Sequence, residues 1–222
     1  MEEHIVKVRS IRSVTHDVLR LVVEKPSGYT YVPGQATEVA INKKEWREER
    51  RPFTFTSLPD EDRLEFTIKT YPSHTGVTNA LRELKKDDEL LLHDVWGAIS
   101  YKGEGVFIAG GAGVTPFIAI LRDLDSKKQV GSNMLIFANK RRVDIIDEPD
   151  FRRILGDRFI NILSDEKVDG YAHGMINEDF LKGNVKNFKQ QFYVCGPPPM
   201  MDAVLSQLKQ LGVGENAVTV EI

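Results

Sequence analysis

The hydrophobic rhythm of this 222-residue chain changes near residues 101–105, and that change limits the folds open to it. Before it, Leu64, Phe66 and Ile68 alternate with Glu65, Thr67 and Lys69. A period of two marks a strand with one face in a core. Similar runs at 4–12, 18–24, 36–42, 51–57 and 89–96 are parted by turn material such as Pro26-Ser27-Gly28 and Pro59-Asp60. Only 77–86 has helical spacing, with Leu81 and Leu84 on one side. Six short strands with one helix predict a Greek-key antiparallel β-barrel over 1–102. After Tyr101-Lys102-Gly103-Glu104-Gly105, strand candidates at 105–109, 133–138, 158–163, 191–195 and 217–221 alternate with helix candidates at 116–124, 148–155, 177–182 and 199–211. That alternation predicts a doubly wound parallel α/β sheet over 103–222. Two domains are expected.

Composition narrows the function classes. With 41% hydrophobic residues the chain can bury a core, and a net charge of −3 offers no global positive field for nucleic acid or an anionic membrane. One cysteine, Cys195, excludes an intrachain disulfide, a Cys-rich zinc site and an iron–sulfur cluster held by the chain itself. The five histidines are scattered, and none forms a ligand-spaced pair. The first residues lack the basic and apolar regions of a signal peptide, and no apolar run approaches the roughly 18–20 residues of a membrane span. A cytoplasmic protein is expected.

Four segments carry candidate chemistry. Val106–Ala109 runs into Gly110-Gly111-Ala112-Gly113-Val114-Thr115-Pro116, an apolar strand entering a glycine-rich turn with proline where a helix would begin. Backbone N–H groups of such a turn can hold a pyrophosphate, with glycine letting the main chain approach the phosphates. A tight turn without a ligand explains the same residues. Phe192–Met200 repeats the pattern of strand, turn and helix around Cys195, Gly196, Pro197, Pro198 and Pro199; taken alone, Cys195 reads as a small buried apolar residue. In the barrel, Arg51-Pro52-Phe53-Thr54-Phe55-Thr56-Ser57 puts an arginine, an aromatic and a hydroxyl at alternate positions, hence on one face. That face could clamp a phosphate, stack on a flat ring and donate a hydrogen bond, although an ordinary strand with an outward arginine has the same pattern. Gly76-Val77-Thr78 opens the barrel helix, as a second phosphate-binding start or as a plain threonine cap.

In this order and spacing, together with Pro33-Gly34-Gln35, the segments resemble the ferredoxin–NADP reductase superfamily, most closely its short flavodoxin- or ferredoxin-reductase-like members. The resemblance covers almost the whole chain. It implies that Arg51 contacts the FAD pyrophosphate, that Phe53, where tyrosine is usual, stacks on the flavin, and that Thr54 bonds near flavin N5. Thr67, Ile68 and Lys69 would line the flavin, and Gly76, Val77 and Thr78 would hold its pyrophosphate. Gly110, Gly111, Gly113, Thr115 and Pro116, with Cys195, Gly196 and Pro197, would hold the pyridine nucleotide, the cysteine lying beside the nicotinamide. Glu221 resembles the family's acidic residue near the terminus, giving Thr54, Cys195 and Glu221 as the expected catalytic set; the usual terminal aromatic is replaced by Ile222.

The implied reaction is hydride transfer from NAD(P)H to FAD, which needs no protein nucleophile or metal, only approach to roughly 3–3.5 Å and exclusion of water. Single electrons would then pass to a separate carrier such as flavodoxin or ferredoxin, or to a small acceptor. Alternatives are a reductase component of an oxygenase, a free-flavin or ferric reductase, or a non-catalytic nucleotide-binding regulatory subunit. For cofactor choice, the second strand of the α/β half runs into Asn139-Lys140-Arg141-Arg142 with no acid at its end. That favours NADP over NAD, although a solvated basic loop explains it equally.

Overall fold

The computed structural model describes residues 3–71, 73, 75–97 and 99–220. Glu221 and Ile222, assigned above on family resemblance, lie outside the described residues. Strands β1 (His4–Ser13), β2 (Val18–Glu24), β3 (Ala36–Ile41), β4 (Arg51–Thr54), β5 (Arg63–Lys69) and β6 (Glu89–Trp96) form an antiparallel sheet in the order β4-β3-β6-β1-β2-β5. The two edges meet. Phe55, just past β4, bridges Phe66 of β5, and Thr56 N donates to Glu65 O at 2.8 Å. Closure removes the open edges that would otherwise invite another strand. Inside, Phe55, Leu64 and Phe66 are fully buried, each worth about 1.5–3 kcal/mol relative to exposure.

β5 shows the alternation read from the sequence, with an addition. Leu64, Phe66 and Ile68 enter the barrel, yet Glu65 and Thr67 on the opposite face are also buried. That polar face meets the second half of the molecule instead of water.

The second sheet contains β7 (Gly105–Gly110), β8 (Met134–Asn139), β9 (Phe159–Leu163), β10 (Ala172–His173), β11 (Gln191–Cys195) and β12 (Val218–Val220). Every neighbouring pair is parallel, in the order β10-β9-β8-β7-β11-β12. Period-two alternation sorts its residues to two faces. Phe107, Phe137 and Tyr193 pack with helices α2 (Thr115–Ser126) and α3 (Glu148–Leu155), whereas Val106, Ile108 and Val194 pack with α4 (Glu178–Asn184) and α5 (Pro198–Gln210). The strand order reverses between β7 and β11, so a crevice opens at their carboxyl ends.

The connection between the sheets is pinned by Tyr193. Its hydroxyl accepts from Lys102 N and donates to Gly103 O, both at 2.8 Å, while its ring stacks on Phe107 at 4.4 Å between centroids.

Two elements differ from expectation. The helix expected over 77–86 is a single α-turn, α1 (Val77–Ala80), followed by a 3₁₀ turn, with Leu84 already extended. Asp88 captures the Lys85 N–H at 2.8 Å, an alternative to continued helix. β4 ends at Thr54 instead of 57, because the chain there leaves β3 to bridge β5.

Candidate functional site

Two cavities gather ten of the site residues singled out by sequence. The first, about 560 Å³, is lined by Arg51 together with Ser73, Thr75, Gly76, Val77 and Thr78. Segments some 25 residues apart in the chain thus form one cradle. Gly76 caps α1 without any side-chain hydrogen bond, so Thr78 is not the cap that one reading allowed. A Cβ built on Gly76 meets nothing within 4 Å, which leaves this side of the cradle open. Among the described residues Arg51 is held by local partners, Arg50 O at 2.6 Å and Glu49 Oε2 at 3.1 Å, with its side chain 46% exposed. A phosphate could recruit that guanidinium at little cost.

On β4 the expected single face is corrected by the strand's own period. Arg51 and Phe53 share a face, and Thr54 stands on the other. Pro52 is exposed at the edge. Phe53 is half-buried, its ring 6.5 Å from that of Phe66. Thr54 is buried. Of the β5 residues, Ile68 points into the barrel core. Thr67 Oγ1 lies 3.3 Å from Thr56 Oγ1 and 3.4 Å from Arg20 Nη2.

The second cavity, about 550 Å³, spans both sheets. Gly110, Gly111, Asn139, Lys140 and Pro197 line it from the α/β side, and His16, Asp17 and Lys69 from the barrel. Lys69 Nζ reaches Asp17 Oδ2 at 3.1 Å. Burial alone would raise the Asp17 carboxyl, but hydrogen bonds from Lys69 and Thr15 outweigh it and hold the group below its ordinary value.

The glycines divide by role. A Cβ on Gly113 would lie 2.4 Å from Cys195 O, and one on Gly110 2.4 Å from Met200 Sδ. Gly196 is similarly crowded, at 3.1 Å from Gly110 N. These three glycines are small because the two turns press on each other. Gly111 differs: it has φ +51° and nothing within 4 Å, so it is the position open to the cavity. Past the turn, Thr115 Oγ1 donates to Ala112 O at 3.0 Å, and Pro116 sits in the first turn of α2. The prolines after Pro197 begin α5, where the missing N–H groups would have had no intrahelical partner.

Cys195 is 5% exposed within the apolar cluster around Phe107. The cavity lining includes Pro197 but neither Cys195 nor Gly113. Asn139 is 9% exposed and its Nδ2 has no hydrogen-bond partner among the described residues. A buried, unmatched donor at a cavity wall is costly unless something accepts from it. Arg141 is absent from the lining, and Arg142 lies over the Tyr171 ring at 5.5 Å. Asp144 does line the cavity, its Oδ2 accepting from Arg141 N at 2.9 Å. The strand end itself carries no acid, as the sequence reads, and Asp144 stands five residues past it.

Sequence reasoning did not single out His16, Asp17, Asp144, Ser164 or Met175, all of which line this cavity. Met175, 67% exposed, carries a signal that only a structure can display. His16 and Asp17 sit in the turn between β1 and β2 and gain a role only where that turn meets the α/β half.

A closed antiparallel barrel with an arginine-lined cradle, joined to a parallel sheet whose crevice both halves share, defines a flavin- and pyridine-nucleotide-binding reductase fold. An FAD-binding domain family matches residues 4–102, and an oxidoreductase NAD-binding domain family matches residues 107–206. The chain carries these two domains in tandem, and its fold is that of ferredoxin–NADP reductase-like flavoproteins. It is 31% identical to the reductase component of propane 2-monooxygenase from Rhodococcus jostii (strain RHA1), over 96% of this chain and 61% of that protein. It is 27% identical to NADH-cytochrome b5 reductase 2 of Mycosarcoma maydis, over 89% of this chain and 62% of that protein. The chain thus spans about three fifths of the length of these curated relatives. Among solved structures, the FAD/NAD-binding domain of nitric oxide dioxygenase from Vibrio cholerae O1 biovar El Tor superposes with a TM-score of 0.87 at 20% identity, covering 98% of this chain and 97% of that one. A ferredoxin NADP+ reductase from Neisseria gonorrhoeae gives 0.83 at 16%, covering 100% and 98%.

Proposed function

We propose that this chain takes hydride from NAD(P)H onto FAD and hands single electrons to an acceptor outside its own 222 residues. The observation that carries the reading is the second cavity, to which barrel and α/β half both contribute walls. FAD, when bound, supplies the chemistry of accepting a hydride and releasing electrons singly. The protein's task is to bind, orient and exclude water.

In this reading residues 1–102 form the FAD-binding domain and 103–222 the NAD(P)-binding domain. Arg51 and the start of α1 hold the FAD pyrophosphate, Phe53 stacks on the flavin ring, and the hydroxyl of Thr54 faces its polar edge. Gly111, at the open position of its turn, lets the nucleotide phosphates approach the backbone. Asn139 Nδ2 donates to the nucleotide, and Lys140 sits beside it. Asp144 disfavours a 2′-phosphate and favours a ribose diol, so NADH is the preferred donor. Cys195 bounds the nicotinamide end from beneath the turns.

The acceptor is a ferredoxin- or flavodoxin-like carrier or, as for the propane monooxygenase relative, an oxygenase system served by a reductase component. A single cysteine cannot provide the thiolate set of an iron–sulfur centre, so that role falls outside these residues. Because NADH is a cytoplasmic reductant, we place the chain there; no helix among the described residues is long and apolar enough to cross a membrane.

The test is direct. Protein reconstituted with FAD should be yellow and should bleach on anaerobic addition of NADH. A protein that binds FAD but is bleached by neither NADH nor NADPH would overturn the reading. The ratio of kcat/KM for the two donors should favour NADH; a preference for NADPH would remove Asp144 from the argument.

A further inference from the structure

We propose that four side chains, an arginine and a carboxylate from each half of the molecule, form a ring of charges that fixes how the halves meet and thereby sets the hydride-transfer geometry. The proposal rests on the reductase reading above. Arg20 of β2 and Glu65 of β5 come from the barrel; Arg122 of α2 and Asp147, just before α3, come from the α/β half. Arg122 Nη1 donates to Glu65 Oε1 and to Thr56 O, each at 3.0 Å, and its Nη2 lies 3.3 Å from Asp147 Oδ2. Arg20 holds the same two carboxylates, through a short bond to Asp147 and with Nε 3.4 Å from Glu65 Oε1. Each acid therefore touches both arginines. Asp150 adds a further contact to Arg122 at 3.3 Å.

The ring is withdrawn from water: the side chains of Arg20, Asp147, Glu65 and Arg122 are 5%, 8%, 11% and 23% exposed. Buried ion pairs are poor sources of net stability compared with apolar packing, but they tolerate only one geometry. Asp147 is also held at φ +52°, a conformation sparsely used by residues other than glycine. An apolar seam could slide; this one cannot without leaving charges unpaired.

The placement ties the seam to the reaction. Glu65 precedes Lys69 by two positions on the same strand face, Asp147 follows Asp144 by three residues, and α2 starts directly after the turn bearing Gly111. Lys69, Asp144 and Gly111 all line the shared cavity. The elements that close the ring are those that carry the cavity walls, so a slip at one end displaces the other. Arg20, Glu65, Arg122 and Asp147 are positioning residues and touch no cofactor in this reading.

The experiment uses FAD-loaded protein and the variants Glu65→Gln, Asp147→Asn and Arg122→Lys. Asparagine matches aspartate in size and tolerates the left-handed backbone, so Asp147→Asn removes charge with little strain. Two readouts are taken: the rate of flavin reduction in anaerobic rapid mixing with NADH, and hydrogen exchange at the Thr56 and Glu65–Thr67 amides. The uncharged variants should slow reduction about tenfold or more while the nucleotide dissociation constant stays within about twofold. Exchange at the seam should rise, with β3 and β6 unaffected, and Arg122→Lys, which keeps the charge, should slow reduction less than the uncharged variants. Unchanged seam exchange in both uncharged variants, or a rate loss explained wholly by weaker cofactor binding, would overturn the proposal. If the parent protein is not reduced by either nucleotide, the reductase reading fails, and exchange at the seam still decides the ring.

Discussion

Gly113 and Gly110 are small for different neighbours, and the difference is measurable. The atom facing a Cβ on Gly113 is a backbone carbonyl, Cys195 O, which cannot step aside; a Cβ on Gly110 meets the flexible Met200 side chain and, at 2.9 Å, Cδ of the Pro197 ring. Gly113→Ala should cost about 3 kcal/mol and Gly110→Ala about 1 kcal/mol, read from denaturant midpoints. At His93, buried on β6, neither ring nitrogen has a hydrogen-bond partner among the described residues, and burial pushes its pKa down. Arg50 lowers it further, against the opposing pull of Glu3, Glu38 and Asp94. The unfolded chain then binds a proton that the folded one refuses, so this contribution is full above the ordinary histidine value and is lost as pH falls through and below it. Stability measured from pH 7.5 to 5 should fall in the parent, and His93→Phe should flatten that slope. The glycine-rich turn itself was plain in the sequence; which of its glycines serve packing was not, because their neighbours lie more than 80 residues away.

At the scale of elements, the period-two runs marked nearly every barrel strand, because one face of each truly enters the core. They could not reveal that the outer face of β5 is buried too, since Glu65 and Thr67 look solvated until Arg20 and Arg122 are placed against them. β10 escaped notice for a simpler reason: two residues carry no periodicity. The expected helix over 77–86 shortened to one α-turn where a side chain, Asp88, competed for its backbone. Tyr193 shows how one strand secures a connection outside itself. Tyr193→Phe would leave Lys102 N–H and Gly103 O without their partner. The expected loss is about 1–3 kcal/mol in equilibrium unfolding, with the β11 core packing retained.

For the molecule as a whole, the sequence made the two sheets and both cofactor-type turns legible, but not the cavity between them. The walls contributed by His16, Asp17 and Asp144 arise only from docking one half on the other. Ligand binding should report on that docking. FAD at a hundred times its dissociation constant should raise the unfolding free energy by about 2.7 kcal/mol. With the ring intact, calorimetry should show both halves melting in one transition that shifts upward; two transitions, only one of them shifted, would mean that the halves unfold independently.

The ring also bears on the order in which the molecule is made. Arg20 and Glu65 both belong to the stretch of chain synthesised first, and they already stand 3.4 Å apart. The nascent barrel therefore leaves the ribosome with these two opposite charges matched, before Arg122 and Asp147 exist. Roughly 80 residues separate Glu65 from Asp147, and they are translated at about 5–20 per second. The later arginine and aspartate then arrive as a second matched couple and join the first as a set. Neither partner has to spend that interval as a lone charge in search of a mate.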